Sequence, residues 1–304
     1  MTAEESSLST LRHEIDGIDD AILDLLARRA EIAAAIATLK KAAGGEPAYL
    51  RPGREAAIMR RLLARHAGRF PAIVIVRIWR ELIAATLHLE VPFSVSVFEP
   101  GPSVEGLSFL ALARSYYGVE SIIKPARTEA GVLRAVRDGK AMVGVLPLPT
   151  DENPGAPRSD PPWWHTMASG GDQRPHVIAR LPWLPTPVDG PKGMTALAIA
   201  KVPPEPSGDD IGYLALEVFE PTSREKVRNA LTAAGFKITG AASWQDPEDR
   251  STRWHLVAIE GFLDERDPRL GQFAAGLGEP LRRTVTLGCY ARPPEPVGLS
   301  AGTP

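Results

Sequence analysis

A run of apolar residues from Leu8 to Leu39 constrains this chain more than any other feature. Leu8, Leu11, Ile15, Ile18, Ile22, Leu25, Leu26, Ile32, Ile36 and Leu39 recur at three- and four-residue intervals, with Gly17 the only glycine or proline among them. That spacing predicts one long amphipathic helix. At 1.5 Å per residue it spans about 48 Å, against an average helix of about 11 residues. A lone compact domain cannot cover a stripe of that length, so the helix needs a partner chain. Gly44-Gly45 stops it. Pro52 sits where a first helical turn accepts proline, ahead of a second helix from Arg54 to His66, and Phe70-Pro71 opens a third running to about Glu90.

Length and charge narrow the rest. The 304 residues suggest two or three domains. A net charge of -2 without a long basic run argues against nucleic acid or an anionic membrane as partner, and leaves a small ligand. Residues 1–30 hold no continuous apolar stretch and no window approaches a membrane span, so neither a signal peptide nor an anchor is expected, and the chain is read as cytoplasmic. The single cysteine, Cys289, cannot form an intrachain disulfide and has no Cys or His neighbour to suggest a metal or redox pair; a buried strand position is expected for it. No cofactor is expected.

After Val91-Pro92 the period changes. Residues 93–98, 119–124 and 141–146 read as strands, and 107–117 and 128–138 as helices, the alternation of a small α/β layer. Residues 147–172 hold six prolines and read as a loop or linker. Further on, a strand at 213–219, a helix at 223–234, strands at 237–244 and 254–259, a helix at 268–276 and a strand at 284–290 give the order βαββαβ, a ferredoxin-like module. The expected organisation is therefore multidomain: all-α helices over 1–92, a small α/β segment over 93–185, a ferredoxin-like α+β module over 186–293, and a frayed tail over 294–304.

The charged residues of the helical region supply the chemistry. Arg29 and Lys40 are 11 residues apart, about three turns, and share a face. Arg12 lies 17 residues before Arg29, about 100° around the axis and about 25 Å along it. If all three serve one small ligand, Arg12 comes from a neighbouring protomer. Taken singly, each reads more readily as a solvated surface cation. Arg54-Glu55 on the second helix, with Thr86 and Glu90 one turn apart on the third, alter that weighting. Arginines, a lysine and carboxylates together suit a small dianion that also carries a hydroxyl and an ether.

The run Leu11-Arg12, Ile15-Asp16, Ile18-Asp19, Ile22, Leu25-Leu26 and Arg29, then Lys40, Arg51-Pro52, Arg54-Glu55, Arg80-Glu81, Ile83, Thr86 and Glu90 resembles the all-helical chorismate mutases. The resemblance covers about residues 7–91. It implies an intertwined helical homodimer with shared active sites, in agreement with the length of the first helix. It also implies conversion of chorismate to prephenate by a [3,3] rearrangement that needs no cofactor, metal or nucleophile, aided by holding the reactive conformer and donating to the ether oxygen. Arg12 of one chain and Arg29 of the other would bind the two carboxylates with support from Arg54. Lys40 would donate to the ether oxygen, Glu55 would accept from the ring hydroxyl, and Thr86 would line the pocket. Some relatives carry Gln where Glu90 stands; an ionised carboxylate there would repel the developing charge, so Glu90 must be protonated to donate. Arg51 stands where some relatives carry Asp, and the contact to the ring hydroxyl can then come from backbone.

The remainder resembles a degenerate prephenate dehydratase with an ACT-like module. Glu105-Gly106-Leu107-Ser108 resembles the start of the dehydratase segment. Gln173-Arg174-Pro175 falls where Thr-Arg-Phe would be, and Pro149-Thr150 where a Glu-Asn pair would be. The 90 residues from Phe93 to Pro182 leave no room for a second lobe, so dehydratase activity is expected to be lost. The phenylalanine motifs of an ACT domain would fall at 221–224 and 242–245, and neither pattern survives; a scaffold is the favoured reading of the module. Two alternatives share the helical fold or its dimer: an isochorismate-pyruvate lyase, and a non-catalytic regulatory partner of another shikimate-pathway enzyme.

Overall fold

A computed structural model of the chain describes residues 3–42, 49–101, 108–149, 160–171, 173–184 and 194–294. The Gly44-Gly45 stop, Glu105 to Leu107, most of the proline-rich stretch before Asp160, the punctuation at 185–193 and the tail from 295 lie outside the described residues. The chain divides into two compact units, one formed by 1–49 with 86–92 and the other by 50–85 with 93–304.

In the first unit, helix α1 (Ala3–Ala42) is a single 40-residue helix, about 60 Å long. Its less exposed positions, Leu26, Arg29, Ala30, Ala33, Ala37 and Lys40, recur at helical spacing. The apolar stripe lies elsewhere. Leu8, Leu11, Ile15, Ile18, Ile22, Leu25, Ile32, Ile36 and Leu39 are 43–69% exposed. Helix α3 (Ala72–Glu90) ends in this unit.

The second unit holds helix α2 (Pro52–Arg65), with Pro52 at its first position, the start of α3, and a nine-stranded sheet. The strands are β1 (Ser94–Phe98), β2 (Ile122–Ala126), β3 (Val143–Pro147), β4 (His176–Leu181), β5 (Ala196–Ala200), β6 (Asp210–Phe219), β7 (Ile238–Trp244), β8 (Thr252–Glu260) and β9 (Leu281–Ala291), in the order β2-β1-β3-β5-β4-β9-β6-β8-β7. β1 pairs parallel with β2 and β3, as the two crossover helices α4 (Phe109–Tyr117) and α5 (Glu129–Arg137) require. Side chains cap both helices: Ser108 Oγ accepts from the amides of Leu110 and Ala111, and Thr128 Oγ1 from that of Gly131.

The four strands β9-β6-β8-β7, with α7 (Arg224–Ala233) and α8 (Pro268–Leu277), form the expected βαββαβ ferredoxin-like module. The sheet does not stop at its edge. β4 joins β9 through the single pair Val177↔Gly288, where Gly288 has a φ of +101° and a Cβ would fall 2.5 Å from the Val177 carbonyl oxygen. β5 lies between β3 and β4. Both faces of the module are covered. Leu214, Leu216 and Val218 pack with Val227, Leu231 and Phe273 of α7 and α8, while Tyr213, Ala215, Trp254 and Leu256 pack with α6 (Trp163–Ala168). The expectation of a loop across 147–172 is corrected here. Asp160-Pro161-Pro162 leads into α6, whose Trp163 amide donates to Glu129 and whose indole donates to the Pro147 carbonyl at 3.0 Å. Cys289 is buried on β9, as expected.

Candidate active site

In the first unit Arg29 and Lys40 project from α1 about 16 Å apart along its axis, while Thr86 and Glu90 on α3 are about 6 Å apart. Arg29 Nη1 donates to Thr86 Oγ1 at 2.5 Å, and Lys40 Nζ stands 3.8 Å from Glu90 Oε2. The long cationic side chains therefore converge on one turn of α3. Alanines at 30, 33 and 37 line the stripe between the cations. Partial burial lowers the Arg29 pKa through desolvation, yet a guanidinium remains charged at neutral pH. The Glu90 side chain is 11% exposed against 30% for Lys40, so the carboxyl is the more enclosed partner.

In the second unit Arg51 is the N-cap of α2, and the first turn carries Arg54 and Glu55. Arg51 is ion-paired with Glu205, in the proline-rich loop before β6. Glu55 Oε2 accepts from Arg80 Nη1 at 2.9 Å. Arg80 is 3% exposed and its guanidinium stacks 3.8 Å above the Tyr116 ring, which meets Tyr117 edge-on at 4.9 Å. Burial raises the Glu55 pKa, and the charge and hydrogen bond of Arg80 oppose it. The same burial pushes the Tyr116 phenol up to about 12. In the sequence Arg80 stands out only as part of the Arg80-Glu81 pair that carries the family resemblance. Its signal was there to read, since Val76, Arg80, Ala84 and Leu87 form one buried stripe with a cation in the middle, and a buried arginine calls for a partner.

Further along α2, Arg60 donates to the carbonyls of Ser207 (2.8 Å), Asp209 (2.7 Å) and Arg292 (3.1 Å) and to Ser207 Oγ (3.0 Å), pinning the helix to the loop before β6 and the end of β9. Arg12 and Arg54 are exposed. Of the eight residues expected in the site, the structure brings together Arg29 with Thr86 and Lys40 with Glu90. It pairs Arg51 and Glu55 with residues outside that set.

The remaining motif positions are occupied structurally. Arg174 donates to the Gly171 carbonyl at 3.0 Å and is ion-paired with Glu265. Arg224 donates to Ser243 Oγ at 2.5 Å, so the 221–224 and 242–245 segments do meet. Among the described residues no cluster of His, Cys, Asp and Glu is placed to hold a metal ion, and no helix is long and apolar enough to cross a membrane.

Helices bearing cations that converge on a threonine and a carboxyl define the class: residues 11–91 match the family model for chorismate mutase type II, and this N-terminal region is a chorismate mutase type II domain. The curated relatives are fusions. The bifunctional chorismate mutase/prephenate dehydratase of Stutzerimonas stutzeri is 32% identical over 149 residues, 48% of this chain and 40% of the relative. That of Aquifex aeolicus is 34% identical over 145 residues, 46% of this chain and 38% of the relative. The chain thus spans about two fifths of the length of the curated relatives it matches. Among solved structures, the prephenate dehydratase of Arthrobacter aurescens in complex with L-Phe covers 65% of this chain and 90% of its own at 14% identity and a TM-score of 0.45. GqqA, described as a novel type of quorum quenching acylase, covers 65% and 94% at 20% identity and a TM-score of 0.47.

Proposed function

We propose that the protein is a chorismate mutase, an isomerase that converts chorismate to prephenate in the shikimate-pathway branch leading to phenylalanine and tyrosine. The observation that carries the reading is the convergence of Arg29 and Lys40 of α1 on Thr86 and Glu90 of α3. The reaction is a rearrangement within one molecule: the ether C–O bond breaks as a C–C bond forms, and nothing is added or lost. The protein's task is to hold the reactive conformer and stabilise charge that develops on the ether oxygen.

The residue roles follow the family resemblance. Arg29 and, from a second protomer, Arg12 hold the two carboxylates, with Arg54 and Arg51 near the ligand. Lys40 donates to the ether oxygen, Glu90 donates to it when carrying its proton, Glu55 accepts from the ring hydroxyl, and Thr86 lines the pocket. Arg80 donates to Glu55 Oε2 and so fixes the carboxylate's direction. The exposed apolar stripe of α1 supports a homodimer, since burying each leucine or isoleucine contributes about 1.5–3 kcal/mol.

Dehydratase activity is absent on this reading. Gln173 and Pro175 replace the hydroxyl and ring of the dehydratase motif, and Arg174 is held by Glu265. The ferredoxin-like module serves as an ACT-like scaffold. The test is chorismate turnover by the full chain with products identified. Prephenate without phenylpyruvate is expected, with kcat lowered about 100-fold or more in Lys40→Met, the loss typical of removing one donor to a developing oxyanion. Failure of the parent to form prephenate, or an unchanged kcat in Lys40→Met, rejects the proposal; salicylate and pyruvate formed together from isochorismate, with no prephenate from chorismate, would assign a lyase.

A further inference from the structure

The second unit contains a pocket that no step of the mutase reaction uses. β4 and β9 pair only at Val177↔Gly288, and beyond that pair Arg180 of β4 and Tyr290 of β9 line a cavity of about 370 Å³. The cavity lies on the face of the ferredoxin-like sheet that carries Tyr213, Leu256 and Ala258, the face α6 covers further along. Its size is at the lower end of the about 300–1,000 Å³ usual for small-molecule sites.

The walls are chemically one-sided. Apolar side chains and two tyrosines form most of them; the rings of Tyr213 and Tyr290 are 6.0 Å apart and their hydroxyls are hydrogen-bonded to each other. Burial raises both phenols, keeping them neutral and able to donate. Among the described residues only two charged ones line the cavity, Arg180 and Arg292, and both are cations. Arg292 is answered by Asp209 at 3.0 Å and Glu260 at 2.9 Å. Among the described residues Arg180 forms no ion pair and no carboxylate lines the cavity.

We infer that this cavity is a binding site for a small monocarboxylate with an aromatic or branched apolar body and no amino group. The Arg180 fork would take the carboxylate in two charge-assisted hydrogen bonds, the tyrosine hydroxyls would supplement it, and the rings with Leu256 and Ala258 would enclose the body. An α-ammonium would meet cations and no counter-charge, so the site discriminates against amino acids. The inference does not depend on the mutase reading.

Isothermal titration of the full chain with 3-phenylpropionate, its amide 3-phenylpropanamide, and L-phenylalanine tests it. Saturable binding of 3-phenylpropionate is expected, at least about tenfold tighter than either analogue, a difference of about 1.4 kcal/mol. Arg180→Leu should lose about tenfold or more, Arg180→Lys less because it keeps the charge without the fork, and Tyr290→Phe a smaller amount. Near-ultraviolet circular dichroism establishes that each variant is folded. If Arg180→Leu does not fold, Arg180→Lys and Tyr290→Phe decide. No saturable heat up to about 10 mM, or equal affinity in parent and folded Arg180 variants, overturns the assignment. Tighter binding of L-phenylalanine than of 3-phenylpropionate overturns the ligand class.

Discussion

Arg80 and Glu55 show how one charge is made both structural and useful. The guanidinium is 3% exposed and bonded to a carboxylate whose pKa burial raises. Removing one partner of such a pair leaves the other buried and unanswered, which costs about 3–5 kcal/mol, whereas replacing both with apolar groups costs much less. Urea unfolding should therefore show Glu55→Leu and Arg80→Met each strongly destabilising, with the double variant well above the sum of the two. Strict additivity would show that the pair is not coupled. At the ether oxygen the relevant group is Glu90. Glu90→Gln keeps a donor at that position and should retain turnover, whereas Glu90→Ala removes it and should lower kcat about 100-fold or more; an unchanged kcat in Glu90→Ala would remove Glu90 from the donor role. Helical spacing put Arg29 with Lys40 and Thr86 with Glu90 on shared faces, but which faces meet across helices was not legible from it, neither for Arg29 with Thr86, 57 residues apart, nor for Glu55 with Arg80, 25 apart.

Among the elements, α1 to α3 and the βαββαβ order were readable because each follows a long period or an alternation bounded by turn residues. β4, β5 and α6 were not. β5 reads Ala-Leu-Ala-Ile-Ala and is buried at every position, so it offers no polar alternation to detect. α6 is six residues between prolines and a serine, too short to display a period. Gly118 illustrates a constraint that only packing reveals. It ends α4 with φ +87°, and a Cβ there would stand 2.8 Å from Ala84 Cβ and 2.9 Å from Glu81 Oε2. Gly118→Ala should destabilise by about 1–3 kcal/mol in denaturant titration, from left-handed strain and overpacking together. A neutral result would mean that α3 and α4 can separate at little cost.

For the whole molecule, the exposed stripe of α1 decides the state in solution. Nine leucines and isoleucines from Leu8 to Leu39 form an apolar face on a helix about 60 Å long, far more than monomers ordinarily expose. Sedimentation at micromolar concentration should report a dimer, and Ile15→Asp with Ile22→Asp should yield monomers that have lost turnover. Monomeric parent protein with full activity would contradict the dimer.

Active sites shared between protomers can be rebuilt by mixing two inactive chains. Arg12→Ala and Arg29→Ala each lack one carboxylate ligand and should be nearly inactive alone. Mixed, unfolded and refolded together, they should regain about a quarter of parental turnover, because half the dimers pair unlike chains and one of their two sites is then intact. A mixture no more active than its two parents would contradict the shared site.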